Sequence, residues 1–87
     1  MSTFDKLEKK LRDLPTDTEK ENILKVFRHY DFEIDLKSGS HIIARHNKLI
    51  GIDGYTIDGG VTIPHKHGRK IARIYIKKMF KAIDLIK

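Results

Sequence analysis

The sequence predicts an α+β fold in which helices cover one face of a three-stranded antiparallel sheet. Apolar residues recur at helical spacing near both ends of the chain. Between them, residues 32–37 alternate strictly between apolar and charged side chains, which is typical of a half-buried strand. The tight turn Ser38-Gly39-Ser40 then leads into a second apolar segment, so these two strands are expected to pair antiparallel.

A short amphipathic helix is expected over residues 3–13. Its apolar stripe is Phe4, Leu7 and Leu11. Pro15 ends the helix, because a residue that precedes proline avoids the α region. Alone, so short a helix would be marginal, so it is expected to pack against something else.

A second helix is expected to end near residue 29 or 30. Its start is predicted at a capping box, in which a hydroxyl side chain and a glutamate three residues later satisfy each other's backbone N–H groups. Two pairs have this spacing, Thr16 with Glu19 and Thr18 with Glu21.

The alternating strand 32–37 should turn Phe32, Ile34 and Leu36 inward. The second strand, residues 41–45, should bury Ile42 and Ala44. Since strand side chains alternate between the two faces of a sheet, His41, Ile43 and Arg45 are then expected on the open face.

The remaining elements follow from glycine, proline and helical spacing. Residues 47–60 hold four of the six glycines and predict a loop, with a short strand at 55–57 as an alternative. Residues 61–63 predict the third strand, which Pro64 ends. A polar loop follows, and from Arg69 the apolar spacing that begins with Ile71 and Ile74 predicts a last helix of roughly four turns.

Composition bounds the class of protein. Eighty-seven residues suit one domain, and 39% hydrophobic residues argue against disorder of the whole chain. No apolar run approaches the roughly 20 residues that span a bilayer, and no basic-then-apolar leader is apparent. Without cysteine, disulfides and thiolate metal sites are excluded. A cytoplasmic protein without a membrane partner is therefore expected.

The charge of the chain points to a polyanionic partner. Lys and Arg outnumber Asp and Glu by 18 to 12, which gives a net charge of +6. The whole excess lies in residues 66–87, which hold eight Lys and Arg against one acid, Asp84. A basic face of this kind favours phosphate backbones, because each neutralised phosphate releases counterions.

Three segments in order carry a resemblance to a known family. They are the helix through Lys25-Val26-Phe27, then Gly39-Ser40-His41-Ile42-Ile43-Ala44-Arg45-His46, then Val61-Thr62-Ile63-Pro64-His65. With them, residues 17–87 resemble the HicA (YcfA-like) family of mRNA interferase toxins. The resemblance implies a double-stranded-RNA-binding-like fold, α-β-β-β-α, and ribonuclease activity at His41. It also implies mRNA as the substrate and a HicB-like antitoxin that covers the active face.

Two parts of the chain depart from the family pattern. The N-terminal helix is extra, so we expect an N-terminal extension over residues 1–15 and a HicA-like domain over residues 16–87. Residues 47–60 also make a longer loop than the family has between its second and third strands. Neither departure touches the Gly39-Ser40-His41 motif.

His41 is the candidate catalytic residue. RNA is cut without a metal when a base takes the 2′-hydroxyl proton and the freed oxygen attacks the neighbouring phosphorus, and imidazole suits that step at neutral pH. Gly39 and Ser40 would let a phosphate approach closely and offer backbone N–H donors. The alternative is a histidine at the start of a strand that only packs or caps a turn.

The candidate phosphate-binding residues extend from the second strand to the last helix. For each of them, a solvated surface charge is the alternative. Arg45 is the first choice, because it shares a face with His41. The other candidates for RNA contact are the basic loop and helix residues His65, Lys66, Arg69, Lys70, Arg73 and Lys77, with Lys81 continuing the ridge of Arg73 and Lys77.

No cofactor and no metal are expected. His65 and His67 have the spacing of a metal pair, but no third ligand has convincing spacing. Arg45, His46, His65, Lys66 and His67 are all candidates for the second catalytic group, and the sequence does not choose among them. Two other functions stay open: an RNA-binding module without catalysis, and an adaptor that self-associates through the N-terminal helix.

Overall fold

The computed structural model describes residues 3–36, 41–65 and 70–87. An α+β fold with an antiparallel three-stranded sheet is confirmed. The elements are α1 (Thr3–Arg12), β1 (Asp17–Glu19), α2 (Lys20–His29), β2 (Glu33–Asp35), β3 (His41–Arg45), β4 (Gly60–Pro64), β5 (Lys70–Ala72) and α3 (Arg73–Ile86), with a 3₁₀ turn at Asn47–Leu49.

The main sheet has the order β2-β3-β4, and both of its pairings are antiparallel. The core lies between this sheet and the helices. Ile42, Ala44, Val61 and Ile63 enter it from the sheet and are at most 1% exposed. From the helices come the buried residues Ile23, Val26, Phe27, Ile76, Met79 and Ile83.

The structure has a second sheet, formed by β1 and β5, that the sequence does not predict. Thr18 of β1 lies opposite Ile71 of β5, and both are buried. The predicted capping boxes are therefore wrong: Thr18 belongs to a strand, and Glu19, at the N-cap of α2, makes no side-chain capping bond. Long-range pairing of residues 17–19 with residues 70–72 outweighs the local capping signal.

The same pairing corrects the start of the last helix. Lys70–Ala72 is a strand, so α3 begins at Arg73 rather than Arg69. Ile74, predicted on the buried stripe, is 67% exposed. One expectation within the main sheet is corrected as well: Leu36 lies beyond β2 and is 42% exposed. Residues 55–57 lie outside the strands, as the predicted loop requires, so the alternative of a short strand there is wrong.

The N-terminal helix α1 packs against α2 and α3. Leu11 is fully buried, while Phe4 and Leu7 are half-buried against the same core. Arg12 ties α1 to α3, since its Nη2 lies 2.9 Å from Oδ1 of Asp84. The apolar stripe that an adaptor would need for self-association thus packs largely against the core of its own chain. None of the helices in the described ranges has the length and apolar character needed to cross a membrane.

Candidate functional site

The open face of the main sheet carries the residues that the sequence singled out on β3. Ile42 and Ala44 are fully buried, whereas His41, Ile43 and Arg45 are half-exposed. The predicted assignment of faces is therefore confirmed. Strand alternation alone accounts for it, because a shift of one residue would bury a charge and expose two apolar side chains.

One end of this face holds His41. In the register of β3 with β4, His41 lies opposite Pro64, and His65 follows directly. The basic loop therefore leaves β4 at the end of the sheet where β3 begins. Of the predicted RNA-contact residues, Gly39, Ser40, Lys66 and Arg69 lie outside the described residues.

The other end of the face holds Arg45 in a network of carboxylates. Its Nε donates to Oδ2 of Asp58 at 2.6 Å, and its Nη2 lies 3.3 Å from Oδ2 of Asp35. The hydrogen bond that Arg45 donates to Asp58 is the main reason that the pKa of Arg45 is raised. Both the Nε and the Nη2 atoms of the guanidinium thus have an anionic partner within the chain.

The loop between β3 and β4 is organised around Asp58. The Thr56 hydroxyl donates to its carboxylate, and this bond, followed by the one from Arg45, lowers the pKa of Asp58. The same hydroxyl oxygen accepts from the backbone N–H of Gly60 at 2.7 Å. Residues 56–60 are therefore a closed turn that is fastened to the end of β3.

His41 and Arg45 share a face of the sheet, but they lie too far apart to contact the same phosphate group. They are four residues apart on one strand, so at a rise of about 3.3 Å per residue their Cα atoms lie roughly 13 Å apart. His65 follows Pro64, the residue that lies opposite His41. Of the described candidates for a second catalytic group, His65 therefore has the closest position along the sheet.

His46 has a local structural role. Its Nδ1 accepts from the backbone N–H of Lys48 at 3.1 Å, which caps the 3₁₀ turn. Its ring lies 5.1 Å from that of Phe32. Both contacts hold the chain as it leaves β3, beyond Arg45.

The basic residues of β5 and α3 lie away from the open face. Lys70 pairs with Glu19 at 2.6 Å, which raises its pKa, and Nε of Arg73 donates to the Pro15 carbonyl at 3.3 Å. Lys77 lines a cleft between α1 and α3. Because α3 packs on the core side of the sheet, these cations do not share a face with His41.

The described part of the chain shows no cluster of three or more His, Asp or Glu side chains that could hold a metal ion. His67, one half of the His-x-His pair, lies outside that part.

Sequence reasoning missed Asp35 and Asp58, the two partners of Arg45. A signal for Asp58 was present, because Asp-Gly-Gly predicts a tight turn that directly precedes β4. Asp35 lies opposite Ile43, diagonal to Arg45, and this relation appears only once the register is known.

Comparison with known proteins adds no relative: no family model, no curated protein and no solved structure matches the chain.

Proposed function

We propose that the chain is a metal-independent endoribonuclease that acts on mRNA as the toxin of a type II toxin–antitoxin pair. The observation that carries the proposal is the position of His41 on the open face, at the end where the basic loop leaves β4. The toxin assignment and the HicB-like antitoxin rest on the resemblance of the segments around His41 and Val61-Thr62-Ile63-Pro64 to the HicA family.

His41 acts as the general base in this proposal. It takes the proton of a 2′-hydroxyl, and the oxygen forms a bond to the adjacent phosphorus while the bond to the 5′-oxygen breaks. The leaving oxygen takes a proton from a second group or from water. The products are a 2′,3′-cyclic phosphate and a 5′-hydroxyl, and DNA is not cut because it lacks the nucleophile.

Phosphate contact falls to the basic loop in this scheme. His65, Lys66 and Arg69 lie along the segment that follows Pro64, the partner of His41 in the sheet. Arg45 serves instead as a positioning residue, since Asp35 and Asp58 already occupy its guanidinium. His65 is the first candidate for the group that protonates the leaving oxygen.

The test is cleavage of a single-stranded RNA by purified protein in the presence of EDTA. His41→Ala should lower the rate by about 10²-fold or more, the usual contribution of a general base. Glu33→Ala is the matched control, because Glu33 is exposed on the same face at the far end of the sheet. Full activity of His41→Ala would contradict the proposal, and so would loss of wild-type cleavage with EDTA.

A second function, RNA binding without catalysis, is favoured by one observation. The exposed cations Lys77 and Lys81 lie on α3, on the other side of the sheet from His41. An RNA held there would not reach the imidazole. A mobility shift without cleavage, reduced by Lys77→Glu and unchanged by His41→Ala, would establish this alternative.

The antitoxin relation has its own test in cells. Induced expression of the wild-type chain should arrest growth, and His41→Ala should relieve the arrest at equal protein level. Co-expression of the antitoxin should restore growth by covering the open face. Equal arrest by both variants would contradict a toxin that acts through His41.

A further inference from the structure

A cleft lies between α1 and α2, and its described lining residues all belong to these two helices. Its volume is about 790 Å³, within the range of roughly 300–1,000 Å³ that is usual for binding clefts. Each helix contributes one stripe of residues at helical spacing. The lining residues are Thr3, Lys6, Leu7 and Lys10 with Phe4 from α1, and Asn22, Lys25 and His29 with Arg28 from α2.

Exposed cations line the cleft from both helices. Lys6 and Lys10 are one helical turn apart on α1, and Lys25 and Arg28 are three residues apart on α2. Among the residues that the structure describes, no carboxylate lines the cleft. Across residues 3–36, 41–65 and 70–87, none of the four cations forms an ion pair.

The floor of the cleft is apolar. Leu7 and Phe4 are half-buried against the core, and the Phe4 ring stacks on His29 with centroids 3.6 Å apart. The Tyr30 ring forms a T-shaped pair with the same ring, with centroids 6.0 Å apart. An apolar strip between two cationic rows is the complement of an amphipathic helix that carries acids on both flanks of an apolar stripe.

We propose that the α1–α2 cleft docks an acidic amphipathic helix of a partner protein. The apolar stripe of that helix would lie on Phe4 and Leu7, and its carboxylates would meet Lys6 and Lys10 on one side and Lys25 and Arg28 on the other. The inference does not depend on the proposed ribonuclease activity, because none of these residues lies on the open face of the sheet.

The floor distinguishes this partner from RNA. Single-stranded RNA gains affinity by stacking bases on exposed aromatic rings. Within the described lining, Phe4 is the one aromatic side chain besides the imidazole of His29, and these two rings already stack on each other. A phosphate backbone would also leave the apolar surface of Leu7 unused.

The test uses three synthetic helical peptides of about 18 residues, roughly five turns. The first has leucines on one face with glutamates on both flanks, the second has serine for leucine, and the third has lysine for glutamate. Fluorescence anisotropy with the full chain should give a Kd on the order of 10 μM for the first peptide. The second and third should bind at least tenfold more weakly.

Two double variants with the same change in charge locate the contact. Lys6→Glu with Lys25→Glu, one residue on each wall, should weaken binding of the first peptide at least tenfold. Lys9→Glu with Lys20→Glu changes the same two helices outside the cleft lining and should stay within about threefold of the wild type. His41→Ala should bind as the wild type does, which separates this test from that of the ribonuclease. Thermal melts confirm that each variant folds, and Arg28→Glu is the substitute if the first pair does not.

Several outcomes would overturn the proposal. Equal weakening by both double variants would indicate nonspecific attraction, and undiminished binding of the serine peptide would leave the apolar floor without a role. Absence of peptide binding together with RNA binding that the cleft variant abolishes would make the cleft a nucleic-acid site. A dimer that the same variant dissociates, without peptide binding, would make the occupant a second copy of this chain.

Discussion

At one end of β3 Arg45 is locked between Asp35 and Asp58, whereas at the other end His41 faces Pro64 and the start of the basic loop. At the Arg45 end, Asp35 of β2 and Asp58 of the long loop pair with the guanidinium, so these charges stabilise the fold. A strand thus presents two groups on one face with different duties. Sharing a face with a catalytic candidate does not make a cation available to substrate.

Glycine substitution in the long loop gives the largest effect on the Arg45 end. Gly59 has φ +78°, and an added Cβ would lie 2.2 Å from the carbonyl oxygen of His46. The backbone N–H of His46 donates a hydrogen bond to the carbonyl oxygen of Gly59, which holds the two residues close together. Gly59→Ala should therefore lower the free energy of unfolding by roughly 3 kcal/mol, as backbone strain and displacement add. Urea denaturation measures this.

Gly54→Ala is the matched control for that variant. Gly54 also has a positive φ, +96°, but an added Cβ would meet nothing within 4 Å. Strain alone should then cost about 1 kcal/mol. Equal losses for the two variants would contradict the view that the loop is fastened to the strand through the contact of Gly59 with His46.

Arg45 itself tests whether the two ends have separate duties. Arg45→Met should lower the urea midpoint, because Asp35 and Asp58 lose their shared partner, yet the salt dependence of RNA binding should stay unchanged. Lys66→Met should do the reverse and reduce the slope of log K against log salt by about 0.7, the value for one phosphate on a single strand. Filter binding at several salt concentrations measures both slopes.

A reduced slope for Arg45→Met would restore Arg45 to the phosphate contact that the sequence predicts. An unchanged slope for Lys66→Met would remove the basic loop from the interface instead. Either result would break the proposed division between the two ends of β3.

The sequence predicts what depends on local patterns. Alternation in residues 41–45 assigned His41 and Arg45 to the open face, and the apolar spacing of α1 and α2 located both helices. The sequence does not predict pairing between distant segments. Residues 17–19 and 70–72 are too short to show alternation, so the apolar spacing places Ile71 in a helix, although it lies in β5 opposite Thr18.

For the candidate site too, local patterns predict which face a residue lies on but not which residues it contacts. Position on a face follows from alternation, but the partners of Arg45 follow from register and from the direction in which a loop closes. Asp58 lies 13 residues from Arg45 along the chain, and only the turn made by Thr56, Gly59 and Gly60 brings its carboxylate back.

The acid titration of Asp58 is the smallest effect and the most local test of the Arg45 end. Because its pKa is lowered in the folded protein below the ordinary value of 3.8, the ionised carboxylate stabilises the fold above that value, and the contribution is lost as the pH falls through the lowered pKa. The hydrogen bond from Thr56 is the first cause, and Arg45 adds a second hydrogen bond and the attraction of its charge, so Thr56→Val and Arg45→Met should each raise the pKa of Asp58. Carboxyl NMR titration measures each pKa, and the Gly60 amide, which donates to the Thr56 hydroxyl, reports whether the turn opens at the same pH. If Arg45→Met alone raised the pKa, the guanidinium rather than the hydroxyl would stabilise the ionised carboxylate, and the turn would depend on the strand rather than on its own hydrogen bonds.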